Sequence, residues 1–506
     1  MNLQRLDTAQ AWTLFDIAGT RLVEQRLASQ LPAHTLMHRA GAAIGKLAMA
    51  IAPHAQKVWI ACGPGNNGGD GWEAACFLHN AGVNVLVSYL PPSQGLPVDA
   101  QEAMNKALGM GIQISETPVD LGPQDVTIDC LLGWGSSRVV TGKMAQWVEA
   151  MNKSSALILS ADMPTGLNAD TGQAHQYANG ETGALVRADH TLMLLTAKPG
   201  AFMAQGRDAS GQLWLDDLAR NDPEKSVLAS VQAHCELNSQ PSRIRRQHNS
   251  HKGSYGDVAI VGGESVSSRG MGMTGAAVMA ASAALHGGAG RVLVSLLAPD
   301  KNTQLQDIAL LHPELMQRHF EALDLKQLTV VCGCGGGLNV ARVLTEVLQR
   351  SRSLVLDADA LNAIARDTVL AQLLQRRSAR SMPTVLTPHP LEAARLLGCS
   401  TAHIQSQRVA SAAQLAAFFG CTVALKGSGT VIACQGQISR INPTGNAQLA
   451  AAGTGDVLAG LTAAKLAQGL SAFEATSQAV FEHGQAADAW PAQGRLTASR
   501  LANQLN

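Results

Sequence analysis

The stretch Gly63-Pro64-Gly65-Asn66-Asn67-Gly68-Gly69-Asp70-Gly71 follows the apolar run Val58-Trp59-Ile60-Ala61-Cys62 and precedes a helical pattern from Trp72 to Asn80. A strand that ends in a glycine-rich turn and opens a helix aims main-chain N–H groups and the positive end of a helix dipole at one spot, which suits a phosphate or another anion. Asn66, Asn67 and Asp70 add side-chain ligands to that cradle. The spacing matches neither Gly-x-Gly-x-x-Gly with its later acidic residue nor the Lys-Ser/Thr ending of a phosphate-binding P-loop. A plain turn would use glycine only for positive φ, and it rarely carries two Asn and an Asp among its glycines.

At 506 residues the chain is too long for a single core and predicts two to four domains. Thirty-eight basic residues balance thirty-eight acidic ones. No whole-molecule field therefore favours nucleic acid or an anionic membrane. No apolar run approaches the ~20 residues that cross a bilayer, and the segment Met1 to Asp7 lacks the apolar core of a secretory signal. The nine cysteines are scattered, with Cys332 and Cys334 two apart and no second pair at zinc-like spacing. Reduced thiols of a cytoplasmic protein are the expectation.

Apolar residues recur three and four apart from Thr8 to Leu27 and from Leu36 to Ile51, which predicts two amphipathic helices, with His38 and Arg39 on a solvated face. Strand candidates follow at Val83 to Tyr89, Val126 to Leu132, Ala156 to Ala161 and His190 to Leu195, with helical stretches between them. This alternation predicts an α/β fold with a doubly wound parallel sheet. Ligands of such sheets bind outside the carboxyl ends of the strands. Three of those ends are polar: the glycine-rich loop; Asp129 with Gly133-Trp134-Gly135-Ser136-Ser137-Arg138; and Asp162-Met163-Pro164-Thr165-Gly166-Leu167-Asn168. An Asp at the end of a buried strand is costly unless it is paired, hydrogen-bonded or bound to a cation. Singly, each Asp reads equally well as a helix cap or an Asx turn; together with Asn67 the two suffice to hold a cation.

Residues 221–247 are polar and lack periodicity, and are read as a linker between a first domain, 1–220, and a second, 248–506. The run Arg243-Ile244-Arg245-Arg246 is too short to indicate nucleic-acid binding. A second α/β pattern starts with Asp257 to Gly263, continues through the small-residue helix Met273 to His286, and has strands near Val292 to Leu296, Leu328 to Cys332 and Leu354 to Leu356. Its conspicuous loops are Gly333 to Gly337, Asp357 to Asn362, Thr387 to Glu392 and Lys426-Gly427-Ser428-Gly429-Thr430. The last chemical stretch is Ala452-Gly453-Thr454-Gly455-Asp456. Gly453 and Gly455 at a helix start expose N–H groups to a transferred or leaving phosphoryl group, and Asp456 is placed to take a proton from an attacking hydroxyl. Asp456 reads as readily as an ordinary first-turn acid favoured by the helix dipole. The lysine and Gly-Ser-Gly turn from Lys426 to Thr430 supply a matching nucleotide side. His389, held between two prolines, is a candidate substrate contact, although a lone His is more often structural.

These motifs, in this order, resemble a known arrangement over nearly the whole chain. The Gly65 to Gly71 loop, Asp129 with its following loop and Asp162 to Gly172 resemble the epimerase domain of the bifunctional NAD(P)H-hydrate repair enzymes; Thr387 to Gly398, Lys426 to Thr430 and Gly453 to Asp456 resemble their ribokinase-like dehydratase domain. The resemblance implies a Rossmann-like doubly wound sheet followed by a ribokinase-like α/β domain. The implied substrates are nicotinamide cofactors with water added at C6 of the reduced ring, NADHX and NADPHX, in R and S forms. By resemblance Asn66, Asn67, Gly68, Gly69, Asp70, Gly133, Trp134, Gly135, Ser136, Ser137, Arg138, Val139 and Asp162 bind the hydrate. Asp162 would transfer the proton in epimerisation. Potassium would be held by Asn67, Asp129 and Thr165. The second domain would dehydrate the S form with ADP, or ATP as in some relatives, and magnesium, releasing AMP and phosphate. There Asp456 would activate the C6 hydroxyl, Lys426, Gly427, Ser428, Gly429, Thr430 and Gly455 would hold the nucleotide, and Ala276, Gly335 and His389 would line the hydrate pocket. A homo-oligomer is also implied.

Two positions depart from that pattern: Ala452 stands where the relatives have glycine, and Cys334 where they have proline. Gly453 to Asp456 would equally serve a ribokinase-type small-molecule kinase, with the first domain as a ligand-binding module. A phosphorylated product would favour that reading.

Overall fold

The computed structural model describes residues 3–92, 95–242, 247–297, 312–491 and 493–505; the Arg243 to Arg246 run lies outside them. The chain divides into two compact units, Trp12–Glu236 with Met1–Asp7, and Leu237–Asn506 with Thr8–Ala11.

In the first unit the described residues form a sheet with strands in the order Gln4–Arg5, Gln212–Asp216, His190–Leu194, Leu157–Ala161, Val126–Cys130, Val58–Cys62, Val85–Tyr89, Gln113–Ser115. All neighbours are parallel except Gln4–Arg5. Val58–Cys62 and Val126–Cys130 are buried at every residue, as strands covered on both faces must be. The order reverses between these two strands, so a crevice opens where the Gly63 and Gly133 loops leave the sheet.

The glycines of the first loop differ in role from the turn glycines the sequence suggests. None has positive φ, and the helix begins at Asn66, running Asn66–Asn80, rather than at Trp72. Their function is close approach. A Cβ on Gly63 would stand 1.8 Å from the Leu131 carbonyl oxygen, and one on Gly68 would stand 2.0 Å from the Gly63 oxygen. Helix Thr35–Ile51 packs on this helix through Gly41 and Gly45, where a Cβ would meet Glu73 at 2.3 Å and Phe77 at 2.4 Å.

Three expectations need correction. The first helix is Ile17–Ala28, not Thr8 to Leu27, because the Asp16 side chain caps it by accepting from the Gly19 N–H at 2.7 Å, and Thr13–Leu14 is extended. Arg39 is not solvated; it donates to Glu224 Oε2 at 2.6 Å and to the Leu218 carbonyl at 2.7 Å. Residues 221–247 are not a featureless linker. Asn221 caps helix Asp222–Ala229, and Val227 and Val231 join the core of the first unit, so the first unit continues to Glu236.

In the second unit the strands of the described residues run Met316–Gln317, Arg291–Leu297, Asp257–Glu264, Thr329–Cys332, Ser353–Leu356, Thr384–Leu386, Thr422–Leu425, Val431–Ala433, Arg440–Ile441. Pairing is parallel as far as Thr422–Leu425, then antiparallel. Helices Thr274–His286 and Thr454–Ala467 are rich in Ala and Gly because they lie backbone to backbone: a Cβ on Gly460 would sit 1.9 Å from the Ala280 oxygen. Both units are α/β, as the alternation of elements predicts.

Candidate active sites

The first unit carries a cleft of about 760 Å³ at its sheet switch point. Asn66, Asn67 and Asp70 from the helix start, Gly133 to Arg138 from the second loop, and Asp162 all line it. Gly68, Gly69 and Val139 do not; Gly69 packs on Met37, and Val139 packs against Gly183.

Asp162 closes strand Leu157–Ala161 in a left-handed conformation, φ 68°, which is strained for a non-glycine residue. Its N–H donates to the Leu192 carbonyl at 2.7 Å. One carboxylate oxygen accepts from the Trp134 N–H at 2.7 Å, and the other from Lys198 Nζ at 2.5 Å. Lys198 is fully buried and donates also to the Leu194 carbonyl at 2.7 Å. Gly133 is required beside this group, since a Cβ would lie 2.9 Å from Asp162 Oδ2 and 3.4 Å from the Asn67 amide. Burial, then the charge of Asp162, pushes Glu24 upward, and burial with Asp162, Glu24 and Glu73 pushes Asp70 well above the usual carboxylate range. Burial thus favours the protonated form of Asp70, while Asp162 on the same cleft wall is ion-paired with Lys198.

Of the residues expected to hold potassium, the structure joins Asp129 and Thr165. Asp129 is fully buried and accepts from Thr165 Oγ1 at 2.7 Å, from the Thr165 N–H at 2.9 Å, from Ser160 Oγ at 2.9 Å and from the Leu131 N–H at 3.2 Å. These donors are neutral, and burial raises Asp129 despite them. Asn67 brings a buried Nδ2 with no partner among the described residues. The oxygens of Asp129 and Thr165 suit a monovalent cation, whereas the orphaned atom of Asn67 is an amide nitrogen, a donor that cannot ligate one, and its Oδ1 lies on the Gly133 side beside Asp162.

In the second unit the carboxyl ends of the strands gather a second cluster. Lys426 Nζ donates to Asp357 Oδ1 at 2.6 Å, and Thr387 Oγ1 donates to the same oxygen at 2.9 Å. Asp456 lies in the first turn of helix Thr454–Ala467, its ligand oxygen, Cys334 Sγ and an Asp357 oxygen lying within 4.8 Å of one another. Burial, with Asp357 next, raises Asp456 to about 6. Burial alone would lower Lys426, but Asp357 and Glu392 outweigh it and hold it high. A Cβ on Gly455 would stand 3.3 Å from Lys426 Nζ, so the helix start and the lysine face one space. Gly335, at φ 57°, lies against Met273 and Ala276, which brings two of the expected hydrate contacts together. Cys334 is buried against Asp456, whereas Ala452 is exposed.

His389 has a structural use. Its Nδ1 accepts from the Leu391 and Glu392 N–H groups at 3.1 and 3.3 Å, and the Glu392 side chain accepts from its backbone N–H at 2.8 Å, a reciprocal cap on helix Pro390–Leu397. Burial, then Lys426, lowers His389, in keeping with an accepting nitrogen.

A family profile described as NAD(P)H-hydrate dehydratase matches residues 258–506, and one described as YjeF-related protein N-terminus matches residues 33–200. The bifunctional NAD(P)H-hydrate repair enzyme Nnr of Escherichia coli (strain K12) is 33% identical over 470 residues, 90% of this chain and 85% of that protein. The chain belongs to the bifunctional NAD(P)H-hydrate repair enzyme family. The corresponding enzyme of Leishmania braziliensis is 34% identical over 514 residues, covering 93% of this chain and 88% of that protein. Among solved structures, the ADP/ATP-dependent NAD(P)H-hydrate dehydratase from Bacillus subtilis, co-crystallised with ATP and Mg2+, is 28% identical, with a TM-score of 0.42, over 52% of this chain and 91% of that one.

In this member of the repair-enzyme family, several site residues escape sequence reasoning. Lys198 follows the strand His190–Leu194 by four residues, and its signal is a lone lysine inside the apolar stretch Leu192 to Met203. Asp357 is visible only as part of a loop. Arg408 leaves no local mark: it sits in helix Arg408–Phe419 and reaches back to the carbonyls of Leu425, Lys426 and Gly429 at 3.1, 3.3 and 3.2 Å, bracing the Lys426 loop from beneath.

Proposed function

We propose that the first unit interconverts the R and S hydrates of NADH and NADPH, and that the second unit dehydrates the S form with ADP as the phosphoryl donor. The observation that carries the first half is the Asp162 carboxylate, fixed between the Trp134 N–H and Lys198 on the wall of a cleft that also holds Asp70. Epimerisation at C6 balances if the C6–N1 bond breaks as the hydroxyl gives up its proton and N1 gains one, leaving a C6 aldehyde, and the bond then reforms on the other face with both protons returned. No electron is gained or lost. Asp162 serves as the proton acceptor, and Asp70, which burial favours in its protonated form, serves as the donor.

In the second unit Asp456 takes the proton of the C6 hydroxyl, the hydroxyl oxygen attacks the terminal phosphorus of ADP and AMP leaves. The C6–O bond of the phosphate ester then breaks, releasing phosphate, and loss of a ring proton completes the dehydration. Lys426, Gly427, Ser428, Gly429, Thr430 and the Gly455 N–H bind the nucleotide phosphates, while Gly335, Ala276 and His389 border the hydrate.

Potassium fits the oxygens of Asp129 and Thr165, with Asn67 able to contribute only its Oδ1, and it would supply the counter-charge of a buried carboxylate. Magnesium would be held by the nucleotide phosphates and Asp357, where it would neutralise phosphate charge, leaving Asp456 free as the base. A homo-oligomer and a cytoplasmic location complete the reading. The experiment is recovery of NADH from mixed epimers: loss of the R form depends on the first unit, and ADP-dependent loss of the S form depends on the second.

A further inference from the structure

We infer that Lys198 is a positioning residue for epimerisation, fixing the orientation of the Asp162 carboxylate and balancing its charge; the inference rests on the epimerase reading above. Lys198 is fully buried and does not line the cleft, so it has no route to substrate except through Asp162. Its Nζ bridges Asp162 Oδ1 at 2.5 Å and the Leu194 carbonyl at 2.7 Å. Asp162 Oδ2 is taken by the Trp134 N–H, so any rotation of the carboxylate breaks a charge-assisted bond as well as a backbone one.

The anchor behind Lys198 is rigid. The next residues form the turn Pro199–Phe202, and Gly200 donates to the Ala169 carbonyl at 2.7 Å with no room for a side chain, since a Cβ would meet the Asn168 oxygen at 2.4 Å. The lysine is thereby tied to the loop that follows Asp162. A buried ion pair is a weak device for stability, since apolar residues of similar volume often do as well. It is a strong device for orientation. Two further acidic side chains, Glu24 and Asp70, share the cleft wall with Asp162, and the Lys198 ion pair keeps the negative charge of the group on Asp162.

The test uses the full chain and purified (R)-NADHX, with formation of the S epimer followed chromatographically in wild type, Lys198→Met, Lys198→Arg, Asp162→Asn and the Lys198→Met/Asp162→Asn double variant. Dehydration of (S)-NADHX by the same samples checks each preparation, and a thermal melt checks the first unit. The expected result is a fall of about 100-fold in kcat for Lys198→Met with KM within about threefold of wild type, the loss typical of a misplaced reacting group. Lys198→Arg should lie between the two, and the double variant should be no worse than Asp162→Asn alone. Wild-type kcat in folded Lys198→Met, or losses that multiply in the double variant, would overturn the inference. Should Lys198→Met fail to fold, Lys198→Arg decides: a kcat at least about tenfold down at unchanged KM supports positioning, and wild-type kcat refutes it. An inactive wild type would instead sink the epimerase reading itself.

Discussion

Lys426 Nζ donates to Asp357 Oδ1 at 2.6 Å, and Gly455 at the start of helix Thr454–Ala467 borders both groups. The pair holds a cation toward the nucleotide space while Asp357 is almost fully buried. Lys426→Met removes the cation proposed to meet the nucleotide phosphates, so it should lower the dehydratase kcat/KM for ADP by at least about 100-fold and leave epimerisation at the wild-type rate. Steady-state assays of both activities on one preparation check this; a matching fall in epimerisation would contradict it.

Asp456 is raised from 3.8 to about 6, chiefly by burial. A base must be ionised, so the dehydratase rate should fall as the pH drops through about 6. The same shift has a stability sign. The folded carboxyl holds its proton more tightly than the unfolded one, so its stabilising contribution is full below the ordinary carboxylate pKa, is lost as the pH rises through about 6, and leaves a net cost of up to about 3 kcal/mol at neutral pH. Asp456→Asn should abolish dehydration while raising the melting temperature of the second unit near neutrality, with the gain gone near pH 4. Melting curves at the two pH values decide it.

Gly133→Ala should impair epimerisation by about tenfold or more, since its Cβ would press on Asp162 Oδ2 at 2.9 Å. Gly109→Ala is the matched control, outside the cleft and with no atom within 4 Å of the added Cβ. Equal activity of the two variants would show that the Asp162 geometry is not critical.

Replacing potassium with a bulky organic cation should slow epimerisation and lower the melting temperature of the first unit, because Asp129 would lose its counter-charge. Asp129→Asn should abolish that response to potassium. If wild type melts and turns over identically in both salts, the cation assignment fails.

Legibility in the sequence followed chain distance. The strands Val58–Cys62 and Val126–Cys130 read directly from unbroken apolar runs, and the loops that leave them carry their chemistry in adjacent residues. The start of the first helix did not read, because Asp16 outweighs the periodicity before it. The glycines from Gly63 to Gly71 were legible as a ligand cradle but not as helix, since close approach to Leu131 depends on a strand more than 60 residues on. Arg408 was invisible for the same reason, and Lys198 showed only as a lone lysine in an apolar stretch: each is defined by a partner, 36 residues away for Lys198 and 17 to 21 for Arg408, that only folding brings near. The polar stretch after Asn221 concealed a helix whose few apolar side chains, Val227 among them, are too sparse to show a period.

The central claim is that two sites on one chain together rescue both epimers. The near-ultraviolet absorbance of NADH, followed after the protein is added to a mixture of R and S NADHX with ADP, magnesium and potassium, tests it most directly. Full recovery, faster than the hydrates interconvert unaided and absent without ADP, is predicted. Recovery that stops when the S form is exhausted would contradict the epimerase assignment, and none at all with ADP or ATP would contradict the dehydratase assignment.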